Sequence, residues 1–284
     1  VTVEQSAPDG TAVRTALWRA LHLEVDEGPH VIIDDIGRAL AQPESDWRSR
    51  GDMHPVGTAG FRASIVGRAR FLDDLVRERA AAGIDQYVIL GAGLDTFAQR
   101  HPDVSSSLQI FEVDQPGTQA WKRRRLAEEG YPVPEGLHFV SVDFESGESW
   151  WDAVNANGFN ADGASIVSSM GVSMYLTTEA TDATLRQVAA LAPGSVLTMT
   201  FMLPLDLLDD VEGPMLAGVE AQARASGTPF ISHYSPDEMV DMCLAAGFTS
   251  ARVVGPDELF KRYFEGRTDG LRPPSAEQVV VAQV

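Results

Sequence analysis

Cysteine is almost absent from this 284-residue chain: Cys243 stands alone. A single thiol excludes an internal disulfide framework and any cluster of cysteine metal ligands. On an apolar helical stretch it reads as a small buried hydrophobe. Positive charge is scarce too, with 22 lysines and arginines against 41 aspartates and glutamates, a formal net charge of −19. Such a surface repels a phosphate backbone, so no nucleic-acid partner is expected. No apolar run approaches the roughly 20 residues of a membrane helix. Residues 1–10 lack the basic-then-apolar order of a signal peptide. The expected setting is cytoplasmic, with no membrane partner. The histidines show no paired ligand spacing, so no metal is expected. Internal repeats and low-complexity tracts are missing as well.

What is present suits a packed enzyme-sized domain. Hydrophobic residues make up 44% of the chain, enough for the core of one large α/β domain with an extension, or of two small domains. Residues 11–24 carry Ala16, Leu17, Ala20, Leu21 and Leu23 mostly on one helical face. A short helix or turn is expected over 31–40, a polar mobile loop over 43–60, and a long helix over 61–82 with Gly83 after its end. Beyond residue 85 the pattern changes. Short apolar runs at 87–90, 108–113, 137–142, 164–169 and 195–202 read as buried strands, with helical stretches such as 118–129 and 179–191 between them. This alternation predicts a doubly wound, mostly parallel sheet. Ser235, Pro236 and Glu238 announce a capped helix over 236–246, closed by Gly247. Strands are expected at 249–254 and at 278–284, the last antiparallel at the sheet edge. A polar, glycine-rich loop is expected over 263–272. The division falls near residue 60, with residues 1–60 as a helical extension and lid and residues 61–284 as a cofactor-binding domain with a tail at the acceptor pocket.

The most informative segment is Val88-Ile89-Leu90-Gly91-Ala92-Gly93-Leu94-Asp95-Thr96. A strand runs into two glycines spaced by one residue, and glycine lets the backbone turn sharply beside a ligand. In doubly wound sheets the ligand crevice lies at the carboxyl ends of the strands, where strand order reverses. A dinucleotide loop asks for a third glycine, and Thr96 stands there instead. No Tyr-x-x-x-Lys pair follows at Tyr175 to serve a dehydrogenase. S-adenosylmethionine (SAM) has no pyrophosphate and tolerates the shorter loop. The second strand, Ile110-Phe111-Glu112-Val113-Asp114, ends in acid about 20 residues further on, where a carboxylate accepts ribose hydroxyls. Asp114, at the strand end, is preferred to Glu112. The third strand ends Val142-Asp143-Phe144, an acid and an aromatic suited to an adenine amino group and ring.

With these residues in hand, the chain resembles the leucine carboxyl methyltransferase family, in particular its actinobacterial branch of SAM-dependent O-methyltransferases. The likeness rests on Arg68-Ala69-Arg70-Phe71-Leu72-Asp73-Asp74, the loop from Leu90 to Thr96, Phe111-Glu112-Val113-Asp114-Gln115-Pro116, Val142-Asp143-Phe144, Met174-Tyr175-Leu176 and the tail from Gly266 to Pro273. It spans the chain from about Thr11 onward. The resemblance implies a Rossmann-like class I methyltransferase fold with SAM as cofactor. It implies that Arg68 forks onto the SAM carboxylate, with Arg70 as second candidate. Gly91 and Gly93 would back onto the methionine part, with Ala92 and Asp95 in the same turn. Asp114, next to Gln115, would hold the ribose, and Asp143 with Phe144 the adenine. One position departs: the family carries Glu before the Gly-Val that follows its fourth strand, and Met170 stands there. Either cofactor binding is weakened or a backbone carbonyl serves the ammonium group in the acid's place.

Methyl transfer is an in-line displacement in which the cofactor brings the reactivity and the protein supplies alignment and a dry site. A carboxylate acceptor needs no base, whereas a phenol or alcohol wants one. The resemblance favours an oxygen acceptor on a small molecule, with a small carboxylic acid the most natural and a phenol the other class. On the acceptor side the candidates are Tyr175 after the fourth strand, His233 before the capped helix, and Arg267 in the tail for an anionic acceptor. Two rival readings stay open: a nicotinamide-dependent oxidoreductase, and a SAM or nucleoside binder without catalysis.

Overall fold

The computed structural model describes Pro8, residues 10–143 and residues 148–284. Seven strands form one sheet: β1 (Gln86–Leu90), β2 (Gln109–Asp114), β3 (Leu137–Ser141), β4 (Ile166–Ser169), β5 (Val196–Met202), β6 (Ser250–Val254) and β7 (Glu277–Gln283). Their order is β3-β2-β1-β4-β5-β7-β6. The pairs among β1 to β5 are parallel, and β7 is antiparallel to both β5 and β6. Strand order reverses between β1 and β4, which puts the ligand crevice of a doubly wound sheet at the carboxyl ends of these two strands. The fold is a doubly wound, Rossmann-like α/β architecture, as the alternation of strands and helices predicts.

β7 differs from its expected place. It lies between two neighbours, and β6 takes the edge. The reason is burial: Val279, Val280, Val281 and Ala282 are all buried, the continuous apolar run of an interior strand. β6 alternates exposed and half-buried positions until Val254, which an edge strand with one solvated side tolerates.

The helices are α1 (Gly10–Val25), α2 (Ile36–Ala41), α3 (Ala59–Ala81), α4 (Phe97–Arg100), α5 (Pro102–Ser105), α6 (Pro116–Glu128), α7 (Trp150–Ala156), α8 (Thr178–Ala189), α9 (Glu212–Ala225), α10 (Pro236–Ala246) and α11 (Pro256–Tyr263). Side-chain alternation along the strands divides the core in two. Val88, Leu90 and Phe111 face one layer with Trp150 of α7, Leu185 of α8 and Met239 of α10. Tyr87, Ile89 and Ile110 face the other with Leu72 and Leu75 of α3, Phe97 of α4 and Leu259 of α11. The caps are local chemistry. Ser235 and Glu238 form the capping box of α10, and Gly247 ends it with φ of 117°, a conformation glycine adopts without penalty. Cys243 is buried in α10, and burial pushes its thiol up to about 12, so it packs as an inert hydrophobe.

α1 and α2 form a third packed cluster, in which Leu17, Leu21 and Leu40 meet Leu94 of the glycine turn and Leu126 of α6. The segment expected to be a mobile loop instead carries two single-turn 3₁₀ helices, Trp47–Ser49 and Gly51–Met53, with Trp47 and Met53 buried. The Trp18 indole donates to the Asp52 carbonyl (2.7 Å) and Arg62 to the Pro55 carbonyl (2.6 Å). Two anchoring side chains and these bonds tie it to α1 and α3. No described helix is long and apolar enough to cross a membrane.

Candidate active site

One large cleft, of about 1820 Å³, opens over the carboxyl ends of β1 and β4. An ordinary ligand pocket holds about 300–1,000 Å³, so this one has room for two molecules side by side. Its floor is the turn after β1. Gly91 and Gly93 both take positive φ, 70° and 51°. A Cβ at Gly91 would stand 2.5 Å from Cγ2 of Val172, and one at Gly93 would stand 3.3 Å from the Ala12 methyl. The glycines are therefore required by backbone conformation and by the residues wedged against them.

Asp114 lies beside this turn. Its Oδ2 accepts from the Gly93 amide (2.6 Å) and its Oδ1 from the Gln115 amide (2.7 Å). Carboxylate oxygens accept more than one hydrogen bond each, so the group is held in place by the turn and still suits a ribose. Glu112, two residues earlier, is buried away from the cleft against Lys122 (2.5 Å). Burial pushes its carboxyl up to about 7, against the pull of the Lys122 ammonium. Residues two apart share a face of a strand, so it is position along β2 that separates the two acids: Asp114 is its last residue and reaches the crevice, whereas Glu112 lies within the packed part. Ala92, Asp95, Gln115, Met170 and Tyr175 also line the cleft. Asp95 accepts from the Phe97 amide (2.8 Å) and starts α4. Asp143 follows β3, its amide donating to Glu148 (2.8 Å), and it is not among the described residues of the cleft wall. Phe144 lies outside the described residues.

The arginines divide. Arg68 of α3 enters the cleft, with Glu277 of β7 accepting from its Nη1. Arg70, two residues on, faces away: it is about half exposed, pairs with Asp74 (2.9 Å) and lies over the Tyr263 ring. A helix turns by roughly 200° in two residues, so both arginines cannot point to one ligand. Arg267 lies off the cleft. Its guanidinium donates to the carbonyls of Glu27 (2.6 Å) and Pro29 (2.7 Å) and pairs with Asp269, whose carboxyl it holds down at about 2. An arginine among glycines reads as mobile, but here it closes the tail onto the loop after α1. His233 also lies off the described cleft wall, with its Nε2 against Glu220 (2.7 Å).

Four features lay outside the sequence reading: the contacts of Thr96, the place of Arg19, the place of Asp73 and an apolar far wall. Thr96, in the position of the absent third glycine, is buried, and its hydroxyl donates to Asp34 (2.9 Å) while accepting from Arg100 (2.9 Å). Arg19 of α1 bonds both Asp34 (2.6 Å) and the Leu94 carbonyl (2.9 Å). Asp73 sits between Arg100 and His101. Burial penalises its charge, yet the hydrogen bonds from His101 and Arg100 win and hold the carboxyl below its usual range. The far wall is apolar: Met174, Met202 and Leu216 pack together with Tyr175 and Phe230 beside them. Only long-range packing brings these residues together.

A sheet in the order β3-β2-β1-β4-β5-β7-β6, with β7 antiparallel and a glycine turn at the reversal of strand order, defines the class by its fold, that of a Rossmann-like methyltransferase. The sequence profile of the leucine carboxyl methyltransferase family matches residues 12–189, and the chain belongs to that family. YktD of Bacillus subtilis, named as an S-adenosyl-L-methionine-dependent methyltransferase, is 31% identical over 207 residues, which are 72% of this chain and 67% of that protein. A Mycobacterium protein (strain JLS) named for the same activity is 32% identical, over 72% of this chain and 70% of its own. Among solved structures, a methyltransferase from Thermobifida fusca superposes with a TM-score of 0.61 at 19% identity, covering 97% of this chain and 94% of its own. A Streptomyces avermitilis protein gives 0.59 at 18% identity, covering 97% of both chains.

Proposed function

We propose that this methyltransferase moves a methyl group from SAM to an oxygen of a small, largely apolar molecule, with a hydroxyl favoured over a carboxylate. The cofactor is S-adenosylmethionine, and its residues here fit: a glycine turn without side chains, Asp114 for the ribose, and Arg68 for the carboxylate. When bound, the cofactor supplies an electrophilic sulfonium methyl, so the chain's own residues have to align the acceptor and exclude water. On this reading the described part of the amino-terminal extension, residues 10–60, roofs the cleft, to whose wall it gives Thr11, Trp18, Arg19 and Gly60.

The observation that carries the acceptor class is the charge balance of the wall. Five arginines line the cleft among the described residues, with four acids set against them: Asp52 faces both Arg14 and Arg50, Asp34 pairs with Arg19, Glu277 with Arg68 and Asp73 with Arg100. A carboxylate acceptor in this space would have to share a cation with a carboxylate already in place, and desolvating it costs several kcal/mol unless it is paired, on the order of the penalty for any buried ion. An apolar ring or chain gains instead, at about 25 cal/mol per Å² of apolar surface removed from water against Met174, Leu216 and Phe230. Glu212 stands at this wall, accepting from the Ser275 amide (2.8 Å), and offers a carboxylate to orient or deprotonate a hydroxyl. The test is a labelled-methyl assay on matched pairs, each apolar scaffold bearing either a hydroxyl or a carboxylate. Turnover of the hydroxyl members supports the assignment. Turnover of the carboxylates alone refutes it.

A further inference from the structure

Glu277 opens β7, opposite Met202 at the top of β5. Its carboxylate is buried for a charged group, with a relative side-chain exposure of 12%. One oxygen takes Nη1 of Arg68, and the other takes the Ser64 hydroxyl (2.9 Å). The same guanidinium lies against Gly171, where a Cβ would come within 2.9 Å of its Nη2. Gly171 adjoins Val172, which abuts Gly91. The contacts therefore run without a gap from the cofactor turn to the Arg68–Glu277 pair, and both members line the cleft. Met170, the neighbouring cleft residue at the end of β4, brings no charge.

A free amino-acid end is a zwitterion, with its carboxylate and its ammonium on one carbon. A guanidinium and a carboxylate held side by side are its complement. We infer that Glu277 is the acceptor for the ammonium group of SAM, with Arg68 taking the carboxylate and Ser64 fixing the Glu277 rotamer. This rests on SAM as the cofactor and is independent of the acceptor. Charge-assisted hydrogen bonds inside a cleft are among the strong ones, and losing one lowers affinity by roughly 10- to 100-fold.

The test is calorimetric binding of three ligands: S-adenosylhomocysteine (SAH), its analogue with hydrogen in place of the ammonium, and 5′-methylthioadenosine, which lacks the whole amino-acid end. The native protein should bind SAH roughly 10- to 100-fold more tightly than the deaminated analogue. Glu277→Gln should remove most of that difference, weakening SAH while leaving 5′-methylthioadenosine unchanged. A native protein that binds SAH and the deaminated analogue equally overturns the inference without any variant. So does a Glu277→Gln protein that still binds SAH as much more tightly than the deaminated analogue as the native protein does. A native protein that binds neither SAH nor 5′-methylthioadenosine refutes SAM as cofactor, a failure distinct from the other two.

Discussion

Replacing Gly91 by alanine adds one methyl group at the floor of the cleft, and the cost has two separable parts. The first is conformational. At φ of 70° an L-residue is left-handed, at about 1–2 kcal/mol. The second is steric: the new Cβ would stand 2.5 Å from Cγ2 of Val172, closer than van der Waals contact allows. Overpacking of this kind costs about 1–3 kcal/mol. Gly91→Ala alone should therefore lose about 2–5 kcal/mol, a large share of the 5–15 kcal/mol that holds a typical domain. Val172→Ala removes the clashing methyl but leaves the left-handed backbone. The double variant should then be more stable than the sum of the two single losses predicts, by about 1–3 kcal/mol, the steric part. Urea unfolding of the four proteins, with slopes compared to confirm a common two-state transition, measures the cycle. Additivity within about 0.5 kcal/mol would refute the argument. The glycine would then be there for the ligand's approach or for the turn alone.

Asp114→Ala should weaken SAH binding by about 1–3 kcal/mol, the cost of an unpaired buried partner, and calorimetry on the folded variant that finds no change removes the ribose role. Arg267→Ala should lower the melting temperature, at about 1–3 kcal/mol for the lost charged hydrogen bonds to Glu27 and Pro29, and leave the KM for the acceptor unchanged. A raised KM with unchanged stability would return Arg267 to the substrate. Acid should unfold the chain partly through Asp73, whose folded-state carboxyl is held below its ordinary 3.8. Its contribution is complete above 3.8 and disappears as pH falls through the lowered folded value. Asp73→Asn should flatten the acid limb of a stability-against-pH curve, and an unaltered limb would count against the pairing.

The parallel strands were legible because each is a short apolar run, and β1 and β2 stop at a glycine and an acid, a signal that depends on neighbours in the chain. The position of β7 was not. Its apolar content was visible, but whether it sits at the edge or inside is decided by β6, a partner whose pairing no local pattern encodes. α9 escaped for a different reason: of its 14 residues only Leu216 is buried, so no apolar stripe repeats along it. α11 carried readable marks, with Pro256 in its first turn, Asp257 and Glu258 beside it, and Lys261 and Arg262 at its end. The site divides in the same way. Gly91, Gly93 and Asp114 belong to consecutive strand ends and can be read in order. Glu277 is 209 residues from Arg68, and nothing short of the folded sheet brings them together.

Thr96 shows how the amino-terminal extension and the cofactor turn became one unit. In a dinucleotide loop a glycine there lets the following helix pack close. Here the side chain is kept, and its hydroxyl links Asp34 to Arg100. Arg19 closes the same network onto the Leu94 carbonyl. Lifting the extension away would break the Thr96–Asp34 and Arg19–Leu94 hydrogen bonds and would expose Leu17, Leu21 and Leu40 as well. The opposite wall has far less to lose. α9 holds to the rest through Leu216, with Met215 already exposed, so its displacement uncovers little apolar surface and breaks little polar pairing beyond the Glu212–Ser275 and Glu220–His233 contacts. If the acceptor is apolar as proposed, entry from the α9 side would leave the glycine turn, Asp114 and Arg68 undisturbed.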